Sequence, residues 1–391
     1  MSVRAFTIRS VRCLLVLSIV VITACSGPAS PTPFSGDIPE NDADSVTKAA
    51  IQTYLERLSA LGFSGSAFIA HKGNVIVSSG YGMADEQTPI TPDTIFNIGS
   101  NTKPFTAAAI LKLRDQKQLM LEDELQKLSA DVTADKQHIN IQQLLTHSSG
   151  LDHSGIFKGD FEEVERDDAV RRILNSDLLF PPGAESSYSD MGYILLAAII
   201  EKASGTSYQE YVRSELLDPA GMNSTGWWGN DSKLADKPFA NGTSFNGETN
   251  VSAKTFPGPF WAIQGAGGMV STVTDLQRWH EAVHSGLILS PGSVTDYETG
   301  HFALSENESE GYGWVVAEPI AGRPMRVIAG GAPQIGHENI IQWWTSEDWL
   351  IIISTNNPSF QAGDVSYKLS AIIFGDSYTL PPRSSRLRKK S

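Results

Sequence analysis

The chain has 391 residues, 41% of them hydrophobic and 19% charged, with a formal net charge of -14 and two cysteines. That composition supports a large buried core in one or two domains and excludes a disordered, collagen-like or disulfide-framed chain. The acidic balance argues against nucleic acid as a partner, because phosphate recognition draws on clustered lysine and arginine.

Residues 1–24 carry Arg4, Arg9 and Arg12, then an apolar run from Cys13 to Ile22 broken only by Ser18, then Thr23-Ala24 ahead of Cys25. This is the pattern of a secretion signal. A small residue directly before a cysteine resembles the bacterial lipoprotein signal, which implies that Cys25 becomes the lipidated first residue. The expected location is the bacterial cell envelope, as a membrane-anchored lipoprotein facing the periplasm or the exterior. Cys13 would leave with the signal, so no thiol would remain for a disulfide, a metal or a nucleophile. Residues 25–44 are rich in Pro, Gly, Ser and acidic side chains and read as a flexible tether. No later segment approaches the roughly 20 apolar residues that cross a bilayer.

From Ala43 to Leu61, apolar residues at Val46, Ile51, Leu55, Leu58 and Leu61 predict an amphipathic helix. Ser66–His71 and Val75–Ser79 flank Lys72-Gly73-Asn74 and predict a hairpin. A helix follows from about Ser100 to Gln118. Helical periodicity then dominates from Leu119, including Ile141–Leu145 and Ile194–Lys202, and marks a helical subdomain over about residues 119–250. Strand character returns at Gly313–Val316, Arg326–Ala329, Asn339–Trp344 and Trp349–Ser354, before a last helix over Val365–Phe374. Strands at both chain ends with helices between them predict an α+β fold: an antiparallel sheet flanked by helices, with the helical block inserted. The domain spans 45–377. The tail, 378–391, holds Arg383, Arg386, Arg388, Lys389 and Lys390 and reads as a solvated end.

Chemistry is suggested first by Ser100 and Lys103, a hydroxyl and an amine three residues apart at a helix start. Positions i and i+3 share a helix face, and the first-turn N–H groups favour negative charge. Serine is a weak nucleophile until a neighbour takes its proton. On its own the pair also fits a capping serine with a solvated lysine. Tyr188, in Tyr188-Ser189-Asp190, is the candidate for relaying the proton to the leaving group, since it follows Pro181-Pro182-Gly183 in a loop ahead of a helix.

With these motifs in order, the chain resembles the serine beta-lactamase and penicillin-binding-protein superfamily, in its class C-like branch with D-amino-acid peptidases and carboxylesterases. The resemblance spans about residues 45–375. It also includes Leu144 to Leu151, Gly265 to Thr272 and Gly311-Tyr312-Gly313-Trp314. It implies a beta-lactamase/transpeptidase-like fold with the site between sheet and helical subdomain, no cofactor and no metal. It implies that Ser100 attacks a carbonyl to form an acyl-enzyme that water hydrolyses, with Lys103 and Tyr188 moving protons. His147 reads as structural, beside a helix stop at Ser148-Ser149-Gly150.

Two departures bear on substrate. The third position of the tyrosine motif is usually asparagine, an amide donor to a substrate carbonyl. Here it is Asp190, which when ionised only accepts. Asp190 is expected to pair with Lys103, favour its ammonium form and leave Tyr188 as the base. The family's third motif supplies a lysine or histidine near a substrate carboxylate, whereas this chain has Ile328-Ala329-Gly330. Gly330 and Gly331 remain, with the Gly331 N–H a candidate oxyanion donor beside that of Ser100. His337 follows Gly336 and is a candidate to enter the cleft as a replacement cation. Both departures favour carboxylic esters over peptides or beta-lactams, which carry an acylamino group and a carboxylate. Trp227, Trp228, Trp261 and Trp314 are candidates for an apolar acyl pocket.

Two rivals stand against this reading. His280-Glu281-Ala282-Val283-His284 has the His-Glu-x-x-His spacing of zinc proteases but lacks a third histidine downstream. A silent binding module of the same fold is the non-enzymatic alternative.

Overall fold

The computed structural model describes residues 42–128, 132–153, 155–229, 231–243, 250–320, 322–332 and 335–382. The signal, Cys25 and the basic cluster of the tail lie outside the described residues. Among those described, no helix is long and apolar enough to cross a membrane.

The architecture is the expected one. The helix Asp42–Ala60 leads into the hairpin Gly65–His71 and Asn74–Tyr81, whose turn places Lys72 at φ 50 and Gly73 at φ 76. An eight-stranded antiparallel sheet runs in the spatial order Asn74–Tyr81, Gly65–His71, Trp349–Thr355, His337–Trp344, Arg323–Ala332, Val315–Ile320, Glu308–Glu310 and Phe302–Ala303. Strands from the start and the end of the domain pair there as the second and third of the eight, with Gly65 opposite Thr355 and His71 opposite Trp349.

Alternation along the central strands explains their unbroken apolar runs. Ala67, Ile69, Ile351 and Ile353 face the terminal helices Asp42–Ala60 and Ala362–Phe374, packing with Ile51, Leu55, Val365 and Leu369. Phe68, Ala70, Leu350 and Ile352 face the other way, into the large core shared with the helical block and with Trp279. Burial of each isoleucine, leucine or phenylalanine among them is worth about 1.5–3 kcal/mol, so a run apolar at every position is what a sheet covered on both faces requires.

The helix Lys103–Asp115 carries buried residues around most of its circumference, including Phe105, Ala107, Ala108, Ile110, Leu111 and Leu113. A helix apolar all round belongs inside the molecule. It starts later than periodicity predicts: Gly99–Thr102 forms a 3-10 turn, and the α-helix begins at Lys103 with Pro104 at its start. Proline fits there because its missing N–H falls among groups that have no intrahelical partner. In the helical block, Asn140 and Gln143 form a reciprocal capping box for Ile141–Leu145. Ser189 caps Asp190–Ser204, which Gly205 ends at φ 74.

Candidate active site

Ser100 sits in a turn pinned from several sides. The strand Phe96–Asn97 precedes it and pairs with Met269–Ser271. Asn97 Oδ1 accepts the Gly99 N–H at 2.9 Å, and the Thr102 hydroxyl donates to Gly99 O at 2.7 Å. Gly99, at φ 49, lies against the sheet edge, where a Cβ would stand 2.2 Å from Gly331 O. A Cβ on Gly330 would stand 2.4 Å from Ile98 O and 2.7 Å from Ser100 N. Only glycine allows the strand Arg323–Ala332 so close to the nucleophile's backbone. Gly331 lines the cleft beside Ser100.

Lys103 is 1% exposed. Its Nζ donates to Tyr188 Oη at 2.5 Å, Asp190 Oδ1 at 2.6 Å, Ala266 O at 3.0 Å and Ser100 Oγ at 3.2 Å. An ammonium has three hydrogens for these four acceptors, and the contact to Ser100 is the longest. Burial works against the Lys103 charge, but Asp190 and Tyr188 outweigh it and raise the amine above its usual range. Burial likewise opposes the Asp190 charge, and the Lys103 ammonium overrides it to hold the carboxyl below its usual range. Lys103 is thus a fixed cation.

Tyr188 stands at the cleft rim, half-exposed, with Oη 2.5 Å from Ser100 Oγ. Its loop is tied to the helical block: the Ser187 N–H donates to His147 O at 3.0 Å, and the Ser189 N–H to His147 Nδ1 at 3.1 Å. The His147 ring packs against Tyr188 with centroids 4.7 Å apart. Burial and Lys103 lower the His147 pKa to about 3, so it remains neutral and acts as a spacer behind the phenol. It occupies a left-handed conformation, φ 55, within the helix stop.

The structure brings Ser100, Lys103, Tyr188 and Asp190 together and sets Gly330 and Gly331 against them. His337 does not join them, which corrects its candidacy as a cleft cation. It is fully buried, Nδ1 accepts the Asn97 N–H at 3.1 Å, and burial lowers its pKa to about 4. It opens the strand His337–Trp344 with its ring in the core, where it supports the nucleophile turn. Ile328 packs against the main core.

Of the four tryptophans, Trp228 lines the cleft. Trp227 lines a separate hollow with Arg213 and Asp231, Trp314 packs edge-on to Tyr297 at 5.7 Å, and Trp261 packs beside Val164 and Ala262. In the His-Glu-x-x-His segment, His284 Nε2 lies 2.9 Å from Glu298 Oε1 and both rings pack on Trp343. Among the described residues, no three or more His, Cys, Asp and Glu side chains are grouped so as to hold a metal ion.

Three participants escape a sequence reading. The Asp190 N–H donates to His153 Nδ1 at 3.3 Å, and that nitrogen is 3.6 Å from Asp190 Oδ2. Asp160 lines the cleft, and the Ala266 carbonyl accepts from Lys103. Nothing local marks His153 or Asp160, and although Ala266 lies in the Gly265–Thr272 motif, nothing there says that its carbonyl meets Lys103. One is a backbone oxygen, and the other two come from the loop after the helix stop.

The Beta-lactamase family model matches residues 48–350. Penicillin-binding protein 4* of Bacillus subtilis (strain 168) is 28% identical over 352 residues, 84% of this chain and 76% of that protein. Protein flp of Staphylococcus aureus (strain MRSA252) is 34% identical over 223 residues, 55% of this chain and 44% of that protein, so the match spans less than half of the relative. The octameric penicillin-binding protein homologue from Pyrococcus abyssi superposes with a TM-score of 0.71 at 26% identity, covering 86% of this chain and 78% of that one. The match over most of the chain, with the assembled Ser100, Lys103 and Tyr188, means that this chain belongs to the beta-lactamase family of serine hydrolases.

Proposed function

We propose that this chain hydrolyses carboxylic esters through an acyl-enzyme on Ser100. The observation that carries the reading is the 2.6 Å pairing of Asp190 with Lys103, which puts a spoken-for carboxylate where an amide donor to a peptide or acylamino group is usual. The cleft adds to it. Asp160 and Asp190 both line it, and its described lining contains no lysine or arginine to hold a substrate carboxylate. Unmet polar groups in a closed site cost about 1–3 kcal/mol each, a penalty that a neutral ester avoids.

In this mechanism Tyr188 Oη takes the Ser100 proton while the Lys103 ammonium holds the phenolate. Ser100 Oγ bonds to the carbonyl carbon, and the backbone N–H groups of Ser100 and Gly331 receive the oxyanion. Collapse breaks the bond to the alcohol oxygen, which leaves with the proton from Tyr188. Water then attacks the acyl-enzyme, Tyr188 again taking the proton, and its return to Ser100 Oγ releases the acid. The signal and Cys25 support a lipid anchor on a bacterial envelope membrane, with labelled palmitate incorporation lost in Cys25→Ser as the check.

The penicillin-binding names of the relatives favour a second reading, a D-alanyl-D-alanine carboxypeptidase or beta-lactamase. The deciding experiment compares hydrolysis of a nitrophenyl ester and of a penicillin by the full chain, with Ser100→Ala as the blank. Ester turnover lost in the blank, with the penicillin intact, supports the esterase. Turnover of the penicillin, or stable acylation by it, supports the second reading. No reaction of Ser100 even with a fluorophosphonate supports a silent binding module.

A further inference from the structure

The cleft beside Ser100 is small, about 70 Å³, and its walls differ in kind. Ser100 and Gly331 lie at the reacting end, Asp160 and Asp190 are carboxylates, and Trp228, Ile263 and Gly267 are apolar. Three separate segments hold Trp228 in place. Its N–H donates to Gly268 O at 3.1 Å and its Nε1–H to Pro257 O at 3.1 Å. Phe161 packs on it with centroids 5.3 Å apart, and Phe256 packs edge-on at 5.9 Å. Phe161 and Phe256 also meet edge-on at 5.0 Å. A tryptophan with both N–H groups engaged and an aromatic pair fixing its plane does not swing aside to admit a longer substrate. Gly267 lines the same cleft, and a Cβ on it would stand 2.9 Å from Ile263 Cγ1.

We propose that Trp228 sets the length of the acyl group, restricting the enzyme to short acyl donors. The limit follows from the small size of the cleft and the fixed ring that lines it. This deepens the ester reading and rests on it. A small pocket lined by a fixed ring rejects an extra methylene by about 10- to 200-fold.

The test uses the full chain with acetyl, butyryl and octanoyl nitrophenyl esters, and in parallel the rate of Ser100 labelling by ethyl, butyl and octyl fluorophosphonates. Labelling forms the Ser100 Oγ–phosphorus bond, expels fluoride and passes the serine proton to Tyr188, so it reads the pocket without ester turnover. The native chain is expected to favour butyryl over octanoyl, and butyl over octyl, by at least tenfold. Trp228→Phe shortens the wall and should regain about fourfold per methylene admitted. Gly267→Ala adds a methyl to the cleft lining and should shift the preference toward acetyl and ethyl, which keeps the proposal testable if the tryptophan variant does not fold. Opposite shifts in the two variants support the assignment. A length profile that is flat, or that moves the same way in both, overturns it. Absence of ester turnover with the labelling profile intact sinks the ester reading and leaves the pocket standing.

Discussion

Lys103 Nζ and Asp190 Oδ1 stand 2.6 Å apart with their side chains 1% and 15% exposed. Two charges this far from water stay ionised only because each stabilises the other. Removing one partner leaves the other buried and unpaired, which costs about 3–5 kcal/mol. Asp190→Asn is therefore expected to lower the unfolding free energy at pH 7 by about 3 kcal/mol in urea titrations. A loss below about 1 kcal/mol would mean that Lys103 does not depend on Asp190 for its charge.

The same pair governs substrate choice. Asp190→Asn with Ile328→Lys would introduce an amide donor and a strand-edge cation together. Acylation of Ser100 by a penicillin, followed by mass spectrometry of the intact protein, should accelerate by at least about tenfold. An unchanged rate would show that these positions do not discriminate against beta-lactams.

Acid should destabilise the protein well above the carboxylate range. Burial lowers His147 to about 3, His337 to about 4 and His280 well below its usual value. An unfolded histidine titrates near 6.5, so below that pH the unfolded chain binds protons that the folded chain refuses, and stability falls. For His337 the loss between pH 7 and pH 5 is about 2 kcal/mol. His337→Gln, which keeps an acceptor for the Asn97 N–H, should remove about that much of the pH dependence of urea unfolding. A slope identical to the native chain's would contradict the buried neutral state.

Gly99 and Gly330 should be intolerant of alanine. At Gly99 a Cβ would stand 2.2 Å from Gly331 O and 2.4 Å from Gly331 N, all of it backbone that cannot rotate away. Separation of the nucleophile turn from the sheet edge by about 1 Å would cost about 100-fold in turnover. Gly99→Ala is expected to lower kcat by that order with a smaller change in KM, measured on whichever ester the native enzyme accepts. Activity within threefold of native would refute the close-packing argument.

Glu310 offers a stabilising change. Desolvation raises its carboxyl to about 7, above the unfolded value, so its folded-state proton stabilises the protein in acid and that contribution is lost as pH rises through 7. Glu310→Gln should raise the unfolding free energy at pH 8 by about 2 kcal/mol, after allowance for partial exposure, and leave it nearly unchanged at pH 4. Equal effects at both pH values would point to packing rather than to the proton.

Much of the fold is local in origin and was legible for that reason. The runs Ser66–His71 and Trp349–Ser354, the capping residues Asn140 and Ser189, and the three-residue spacing of Ser100 and Lys103 are properties of a few adjacent positions. Backbone geometry turns each of them into structure without reference to the rest of the chain. The order of the motifs added the family, because five short patterns in sequence are far more specific than any one alone.

What the linear chain determined was therefore the elements and the chemical groups: a hydroxyl, an amine and a phenol, with a carboxylate where an amide is usual. The tertiary structure decided which of them meet. His337 looked available because the length inserted between Gly331 and Gly336 could bring it into the cleft, yet strand pairing turned its ring into the core. Trp228, of four similar tryptophans, became a cleft wall because Phe161 and Phe256 closed on it. His153 entered the site with no local signal, and the Ala266 carbonyl with none beyond its motif, since a carbonyl or an imidazole acquires a role only from what folding brings within about 3 Å of it. Such contacts join residues that packing brings together from distant parts of the chain, and no pattern of neighbours in sequence encodes them.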